Sequence, residues 1–556
     1  MASGSHESST STGNRGVGNS GQPPEGSGRV LTQNIAGAKS VGDFISTTLG
    51  PCGMDKLLLD TDDAEEGLSE YFEVTNNGAY LLKRVPFQSP GARVVARVAA
   101  AQEERCGDGT TTTAIYASEI LRAVEPLLEQ GIHPSTIVSG VDFAIEVATE
   151  ALRDESQAVS INDSEQLQSI AKTAIQGKTA DAIVETLSEW AVDAVQTLAT
   201  DEEDGVQVNT DLVQVESLRA GTLSDTELID GMVLKKSFAG TYEPTELQNP
   251  TIAIVTEGIA RAETIRHRLS SDSNSSTQEV EYGLSDPKSV EAFAEYEIEH
   301  VTELLDPLVA ADVDVVLVGD RVEDELLPHF DDAEIAVVRN ARAGRMKKVA
   351  RATGATINKH LREFTPDDVG ETAQLEWRRY PAIEQNAILF WGGAGEQVVS
   401  VLAHGSTWMS GWELERNVMN AIQSVSLTVE HDGIVPGGGA IETTIARRLR
   451  TTASTVGDRR SLVIEAVADA IEGIPKALTR NAGMDTIQTI TSLRAAHSNG
   501  TKTTGVLSDE RTVGEVVESG ILEPAESKRY GLEAAGSVAT TILRIDDLIV
   551  SNDSSN

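Results

Sequence analysis

In "NIAGAKSVGDFISTTLG", residues 34–50, apolar side chains return at three- and four-residue steps through Ile35, Ala38, Val41 and Ile45. That spacing predicts an amphipathic helix. "PGARVVARVAAAQEERCGDG" and "TTTTAIYASEILRAVEPLLEQG" predict two more helices, parted by a Gly-Asp-Gly break, and "HPSTIVSGVDFAIEVATEALRD" another. The first 150 residues thus read as mostly helical. The middle changes period. "TIAIVTEG", "VDVVLVGD", "AEIAVVRN" and "NAILFWGG" are short β-branched runs bounded by Gly, Asp or Asn, alternating with helical stretches, which predicts an α/β or α+β unit. After about residue 410 the helical pattern returns. A helical–mixed–helical plan suggests one domain inserted into another, with the two chain ends forming a single unit.

Three segments carry other signals. Residues 1–28 are rich in Ser, Gly and Pro without apolar periodicity and read as a disordered tail, as does 552–556 in miniature. Polar low complexity at 270–277 precedes a helical pattern in which Val290, Phe293, Ala294, Ile298, Val301 and Leu305 share a face. Asp286-Pro287 supplies its cap and first turn. That helix is either packed on its domain or a protruding arm that meets a partner.

At 556 residues the chain exceeds one core, and about three folding units are expected. The formal net charge of -42, with 14 Lys against 31 Arg, argues against nucleic acid or an anionic membrane as partner. The acidity is spread along the whole chain. This favours a high-salt cytoplasm, where screening tolerates repulsion, over an acidic binding tail. Two cysteines, Cys52 and Cys106, make neither a disulfide framework nor a zinc pattern. With no apolar run near 20 residues, a soluble cytoplasmic protein is expected.

Chemistry concentrates in Gly-rich stretches. "TTLGPCGMDK" places Gly50, Pro51 and Gly53 after a helix. "CGDGTTTT" puts Gly109, Thr110, Thr111 and Thr112 at a helix N-terminus, where free N–H groups suit phosphate oxygens and Asp108 can ligand Mg2+. "GIVPGGGA" contains Gly437, Gly438 and Gly439, which let backbone approach a ligand, and "SGILEP" offers Glu523 to a ribose hydroxyl. In "EVTNNGAYLLKRV", Asn-Asn-Gly reads as a turn between a strand and a helix, with Asn tolerating a left-handed backbone. Each signal alone has a bland reading as a cap, a loop or a solvated acid.

Their order and wording, together with "GIHPSTIVSG", "AGMD", "ILRIDD", "LIDGMVLKK", "MKKVARATGATI" and "TPDDVG", resemble the group II chaperonins, the archaeal thermosome subunits, from about residue 28 to 548. The resemblance implies a multi-domain chaperonin fold. A helical equatorial nucleotide-binding domain would come from 29–153 and 433–551. A small intermediate domain would come from 154–223 and 377–432, and an α/β apical substrate-binding domain from 224–376. A helical lid protrusion is expected at about 265–305, which selects the arm reading of that helix. It further implies ATP or ADP with Mg2+ at Asp108, with K+ as a candidate further cation. Partners would be other subunits in a double ring and unfolded protein clients.

Three positions depart from the family pattern. Asn77 and Asn420 are amides where the family has Asp, and Cys52 stands where it usually has Lys, while Glu415 and Arg416 match. An amide keeps a carbonyl oxygen but cannot act as a base near pH 7. Because general-base help is typically worth about 10²- to 10⁴-fold in rate, the expectation is nucleotide binding with weakened hydrolysis. The alternative is a non-hydrolysing structural or regulatory subunit of a hetero-oligomeric ring.

Overall fold

The computed structural model describes residues 27–59, 72–179, 181–203, 205–218, 221–260, 301, 303–380, 385–404, 408–431 and 433–547. Residues 1–26 of the expected N-terminal tail, the 552–556 tail, the 270–277 insert and most of the 265–305 protrusion lie outside them, whereas residues 27 and 28, expected in the tail, already belong to the first helix.

The chain opens with α1 (Ser27–Ser46), the antiparallel hairpin β1 (Lys56–Leu59) and β2 (Phe72–Thr75), and the short α2 (Gly78–Arg84). Three long helices follow: α3 (Pro90–Cys106), α4 (Thr110–Glu129) and α5 (Pro134–Glu155). Proline at the first turn starts α3 and α5, where a missing N–H costs nothing. Next come α6 (Ser164–Ile175), capped by Asp163, and α7 (Asp181–Leu198). A hairpin of β3 (Ala199–Glu202) and β4 (Gly205–Val208) leads into the sheet.

That sheet has ten strands. They are β5 (Val213–Leu218), β6 (Glu227–Leu234), β7 (Glu246–Gln248), β8 (Thr251–Val255), β9 (Val315–Val318), β10 (Ala336–Val338), β11 (Ile357–Asn358), β12 (Gly370–Tyr380), β13 (Gln385–Gly393) and β14 (Val399–His404). The main path runs β10-β9-β8-β12-β13-β6-β14-β5, parallel at both ends and antiparallel between. Helices α8 (Leu327–Asp332) and α9 (Ala343–Thr353) cover it. The four β-branched runs of the sequence become β8, β9, β10 and β13. They read as continuous apolar runs because both faces are buried. Ile252, Ile254, Val315 and Leu317 face one core, and Ala253, Val255, Val316 and Val318 the other. Val301 and Leu305, the described end of the expected protrusion helix, are buried in that second core.

From the sheet the chain leaves through α10 (Trp408–His431), then β15 (Ile434–Pro436), α11 (Ala440–Ala453), α12 (Arg460–Ile471), α13 (Gly473–Asn481) and α14 (Thr486–Ser498). A hairpin of β16 (Thr504–Leu507) and β17 (Thr512–Glu515) precedes β18 (Leu522–Pro524) and α15 (Ala525–Leu543). One apolar core joins the two ends of the chain: Ile35, Val41 and Ile45 with Leu121, Ile137, Val463, Ile471, Leu532 and Ile542. Each such side chain contributes about 1.5–3 kcal/mol when fully buried, and that sum holds the N-terminal helices to the C-terminal ones. The core on the Ile252 and Val315 face of the sheet also packs α6, α7 and α10 onto it through Ile170, Leu187, Val195, Val418 and Ile422.

Candidate functional site

A cleft opens where these cores meet. Gly50, Pro51, Asn77, Asp108, Gly109, Thr110, Thr111, Thr112, Gly438 and Glu523 all line it, so residues spread over nearly the whole chain converge.

Its floor is the break between α3 and α4. The helix α3 ends on Gly107 (φ 69°) and α4 starts from Gly109 (φ 89°), both left-handed, which turns the chain sharply enough to aim the first turn of α4 into the cleft. The N–H groups of Thr110, Thr111 and Thr112 have no intrahelical acceptor and carry the positive end of the helix dipole. The Thr110 hydroxyl is committed within the protein. It donates to Glu103 Oε2 at 3.0 Å. Asp108 Oδ1 meets Lys178 Nζ at 3.0 Å, and Gln102 Nε2 donates to the Asp108 carbonyl at 3.1 Å.

The first loop divides its labour. Gly50 (φ 78°) and Pro51 line the cleft, whereas Gly53 serves the turn itself: its N–H donates to the Gly50 carbonyl at 2.9 Å. Asn481 Nδ2 clamps the loop by donating to the carbonyls of Ser46 (2.9 Å) and Leu49 (2.8 Å).

Asn77 is the N-cap of α2, with φ -72° and ψ 114°, and its side-chain oxygen accepts from Tyr80 N at 2.7 Å. The backbone is extended there, not left-handed as the turn reading expected. Gly78 is required for a different reason: a Cβ would sit 2.2 Å from Thr111 Oγ1. Asn76 Nδ2 donates to the Gly177 carbonyl at 2.9 Å, drawing the loop after α6 over the cleft.

Asn420 lies buried on α10. Its neighbours fix the amide orientation, nitrogen toward the carbonyls of Gly107 (3.0 Å) and Arg416 (3.2 Å). One turn earlier, Asn417 Nδ2 donates to the Lys178 carbonyl at 2.8 Å. Partial burial pushes Glu415 above the ordinary carboxylate range, with Glu216 adding to the effect, while Arg416 is half-buried and acted on by the carboxylates of Glu413, Glu103 and Glu73.

On the far wall, β15 and β18 pair antiparallel with Val435 opposite Glu523. Gly438 (φ 60°) lines the cleft, Gly437 backs Glu523, and Gly439 packs on Pro475. Glu523 forms an ion pair with Lys528, whose Nζ also donates to Glu442 Oε1 at 2.7 Å. Tyr116 adds its hydroxyl to the same Glu442 oxygen at 2.7 Å. Burial opposes the Lys528 ammonium, but the two carboxylates outweigh it and raise its pKa above the usual lysine value. Burial also raises Glu523, which Lys528 offsets only in part.

Cys52 Sγ approaches the Ser508 carbonyl at 3.7 Å, and burial raises its pKa first, with Asp509 adding to the effect. Burial pushes the Cys106 thiol up to about 12.

The donor set suits a nucleoside triphosphate: helix N–H groups and Lys178 for phosphate, and a carboxylate at the other end. Among the described residues no cluster of three or more metal-ligating side chains exists. Asp108 is the carboxylate beside the α4 N-terminus that would hold Mg2+ together with a bound nucleotide, a manner of binding that needs one or two protein carboxylates and no cluster. Sequence reasoning missed Lys178, Glu103, Lys528 and Glu442, because no glycine motif flags them.

Comparison with known proteins agrees with this geometry. Residues 41–553 match the model of the TCP-1/cpn60 chaperonin family. This chain is a group II chaperonin subunit. It is 34% identical over 516 residues to thermosome subunit beta of Archaeoglobus fulgidus, covering 93% of this chain and 91% of that one. It is also 34% identical over 522 residues to thermosome subunit 1 of Haloferax volcanii, covering 94% of this chain and 89% of the relative. The open-state monomer of a group II chaperonin from Methanococcoides burtonii superposes with a TM-score of 0.59 at 30% identity, over 79% of this chain and all of that one. The helix-rich, mixed-sheet architecture is therefore the chaperonin fold. No helix among the described residues is long and apolar enough to cross a membrane.

Proposed function

We propose that this chaperonin subunit joins a double ring that binds ATP and unfolded proteins and assists folding, with hydrolysis slowed by the amides at 77 and 420. The observation that carries this reading is the cleft. The helix N-terminus at Thr110–Thr112, the Gly50-Pro51 turn, Asn77, Gly438 and Glu523 line one site, and Asn420, the second amide at a family Asp position, bonds to the Gly107 turn behind it. In this reading 29–153 with 433–551 form the nucleotide-binding equatorial domain. Residues 154–223 with 377–432 form the intermediate domain, and 224–376 the client-binding apical domain. Lys178 and the N–H groups of α4 bind phosphate, Asp108 holds Mg2+, and the 437–439 loop with Glu523 receives the nucleoside. The dispersed acidic charge fits a haloarchaeal-type cytoplasm.

A second reading, a non-hydrolysing regulatory subunit beside more active ones, draws support from Asn420. Its two donor bonds to carbonyls suit an amide and not a carboxylate.

The test is ATP binding and turnover by rings purified in molar salt, compared with Asn77→Asp and Asn77→Asp/Asn420→Asp. Slow turnover that rises on restoring the acids supports the first reading. ATP binding with no turnover supports the second. Wild-type turnover equal to that of the double variant would sink the idea of weakened hydrolysis.

A further inference from the structure

We propose that Glu103 is the carboxylate that orients and deprotonates the attacking water in this chain, replacing the acids absent at 77 and 420. The inference rests on the reading of the cleft as an ATP site.

The other carboxylates that line the cleft are engaged or peripheral. Asp108 is held by Lys178 at 3.0 Å and Glu523 by Lys528. Asp509 and Glu510 are exposed at the rim, Asp509 taking a bond from Gln176 Nε2 at 2.8 Å. Among the described residues Glu103 forms no such ion pair. It lines the cleft from the last turn of α3, and its backbone carbonyl accepts the Gly107 N–H at 2.9 Å. The Thr110 hydroxyl anchors Oε2 at 3.0 Å. A carboxylate offers about four lone-pair positions, so one anchoring bond leaves capacity for a water.

Its surroundings match the task. Lys178, Asp108, Thr110 of α4 and Arg416 of α10 are the polar and charged groups that act on it. Asn420 sits one turn beyond Arg416 and donates to the carbonyl of Gly107, whose N–H donates to the Glu103 carbonyl, so both residues bond to the same turn. Burial raises the Glu103 carboxyl above its ordinary range, with Lys178 the largest opposing influence. A more basic carboxylate is a better proton acceptor near neutral pH.

In the step, the water oxygen bonds to the γ-phosphorus as one water proton passes to Glu103. The bond from that phosphorus to the β,γ-bridging oxygen breaks, its electron pair leaving with ADP, and Glu103 returns the proton to solvent. Asn77 and Asn420 contribute hydrogen bonds only.

The test is Glu103→Gln in full-length assembled protein. Glutamine keeps the size and the acceptor for Thr110, so the fold is preserved. We expect kcat to fall about 10²-fold with KM and ATP affinity unchanged. Glu103→Asp, which retracts the carboxylate by one methylene, should give an intermediate kcat. In the Asn77→Asp/Asn420→Asp background, Glu103→Gln should cost far less, because other acids are present. Unchanged kcat in Glu103→Gln, or a loss of ATP affinity as large as the loss of kcat, would overturn the proposal. Wild-type protein that binds ATP without turning it over would overturn it and leave the nucleotide site standing. A wild type that fails to bind ATP would overturn both.

Discussion

The amide nitrogen of Asn420 donates to the carbonyl of Gly107 at 3.0 Å, tying α10 to the turn that aims α4 into the cleft. A carboxylate at that position would point an acceptor at an acceptor. Asn420→Asp should therefore destabilise the subunit by about 1–3 kcal/mol, the usual cost of leaving a buried polar group unpaired. Urea unfolding in molar salt measures it, and a variant as stable as wild type would contradict the assigned amide orientation.

Asn77→Asp should behave differently. Aspartate caps a helix as well as asparagine, and its charge is favourable at the N-terminus of α2. Stability should stay within about 0.5 kcal/mol of wild type, while ATP turnover rises. A loss of stability comparable to that of Asn420→Asp would show that the two amides are not distinct in role.

Lys528→Met should destabilise strongly. It leaves Glu442, fully buried, and Glu523 without their shared cation. Removing one partner of a buried charge network costs about 3–5 kcal/mol. Heat unfolding reads the effect, and a shift in midpoint of less than a degree would refute it.

The thiols should differ in reactivity. Cys106 is buried with its pKa pushed up to about 12, whereas Cys52 is only partly buried. Iodoacetamide at pH 8 should label Cys52 first and spare Cys106 until the protein unfolds, as read by mass spectrometry. Equal labelling of both in native protein would be inconsistent with the packing around α3.

Acid should weaken the fold partly through His497. Its Nδ1 lies 2.9 Å from Thr444 Oγ1 and its Nε2 2.7 Å from the Thr504 carbonyl. Burial lowers its pKa below the usual histidine value, and the bond to Thr504 only partly opposes this. The unfolded chain then binds the extra proton more readily. The stability contributed is full above about pH 6.5 and is lost as pH falls through the lower folded value. His497→Gln should flatten the stability–pH curve in that window. A slope unchanged from wild type would exclude His497 as a contributor.

The nucleotide cleft was legible in sequence where backbone chemistry writes itself in glycine. Gly50, Gly109 and Gly438, each in a Gly-rich stretch of the sequence, line one cleft. The union of the two chain ends was also legible, from the helical–mixed–helical plan. The polar partners were not. Lys178 looks like any surface lysine, and only the folding of α6 against α10 brings it to Asp108. Lys528 lies one turn into an unremarkable helix, and Glu442 follows three glycines without announcing that it will be buried. Such pairings depend on tertiary register, which local periodicity does not carry. The amides at 77 and 420 were visible as departures, but their present occupations, helix cap and interhelical donor, required coordinates.

The pairing of β15 with β18 sets a schedule for synthesis. Gly50, Pro51 and the Gly107–Thr112 turn leave the ribosome early, but the strand that presents Glu523 and the helix that carries Lys528 emerge near the end. Until then α1–α5 have no C-terminal helices against which to bury Ile35, Leu121 and Ile137. The site therefore lacks its Glu523 wall, and the core its C-terminal helices, until the last part of the chain has been made.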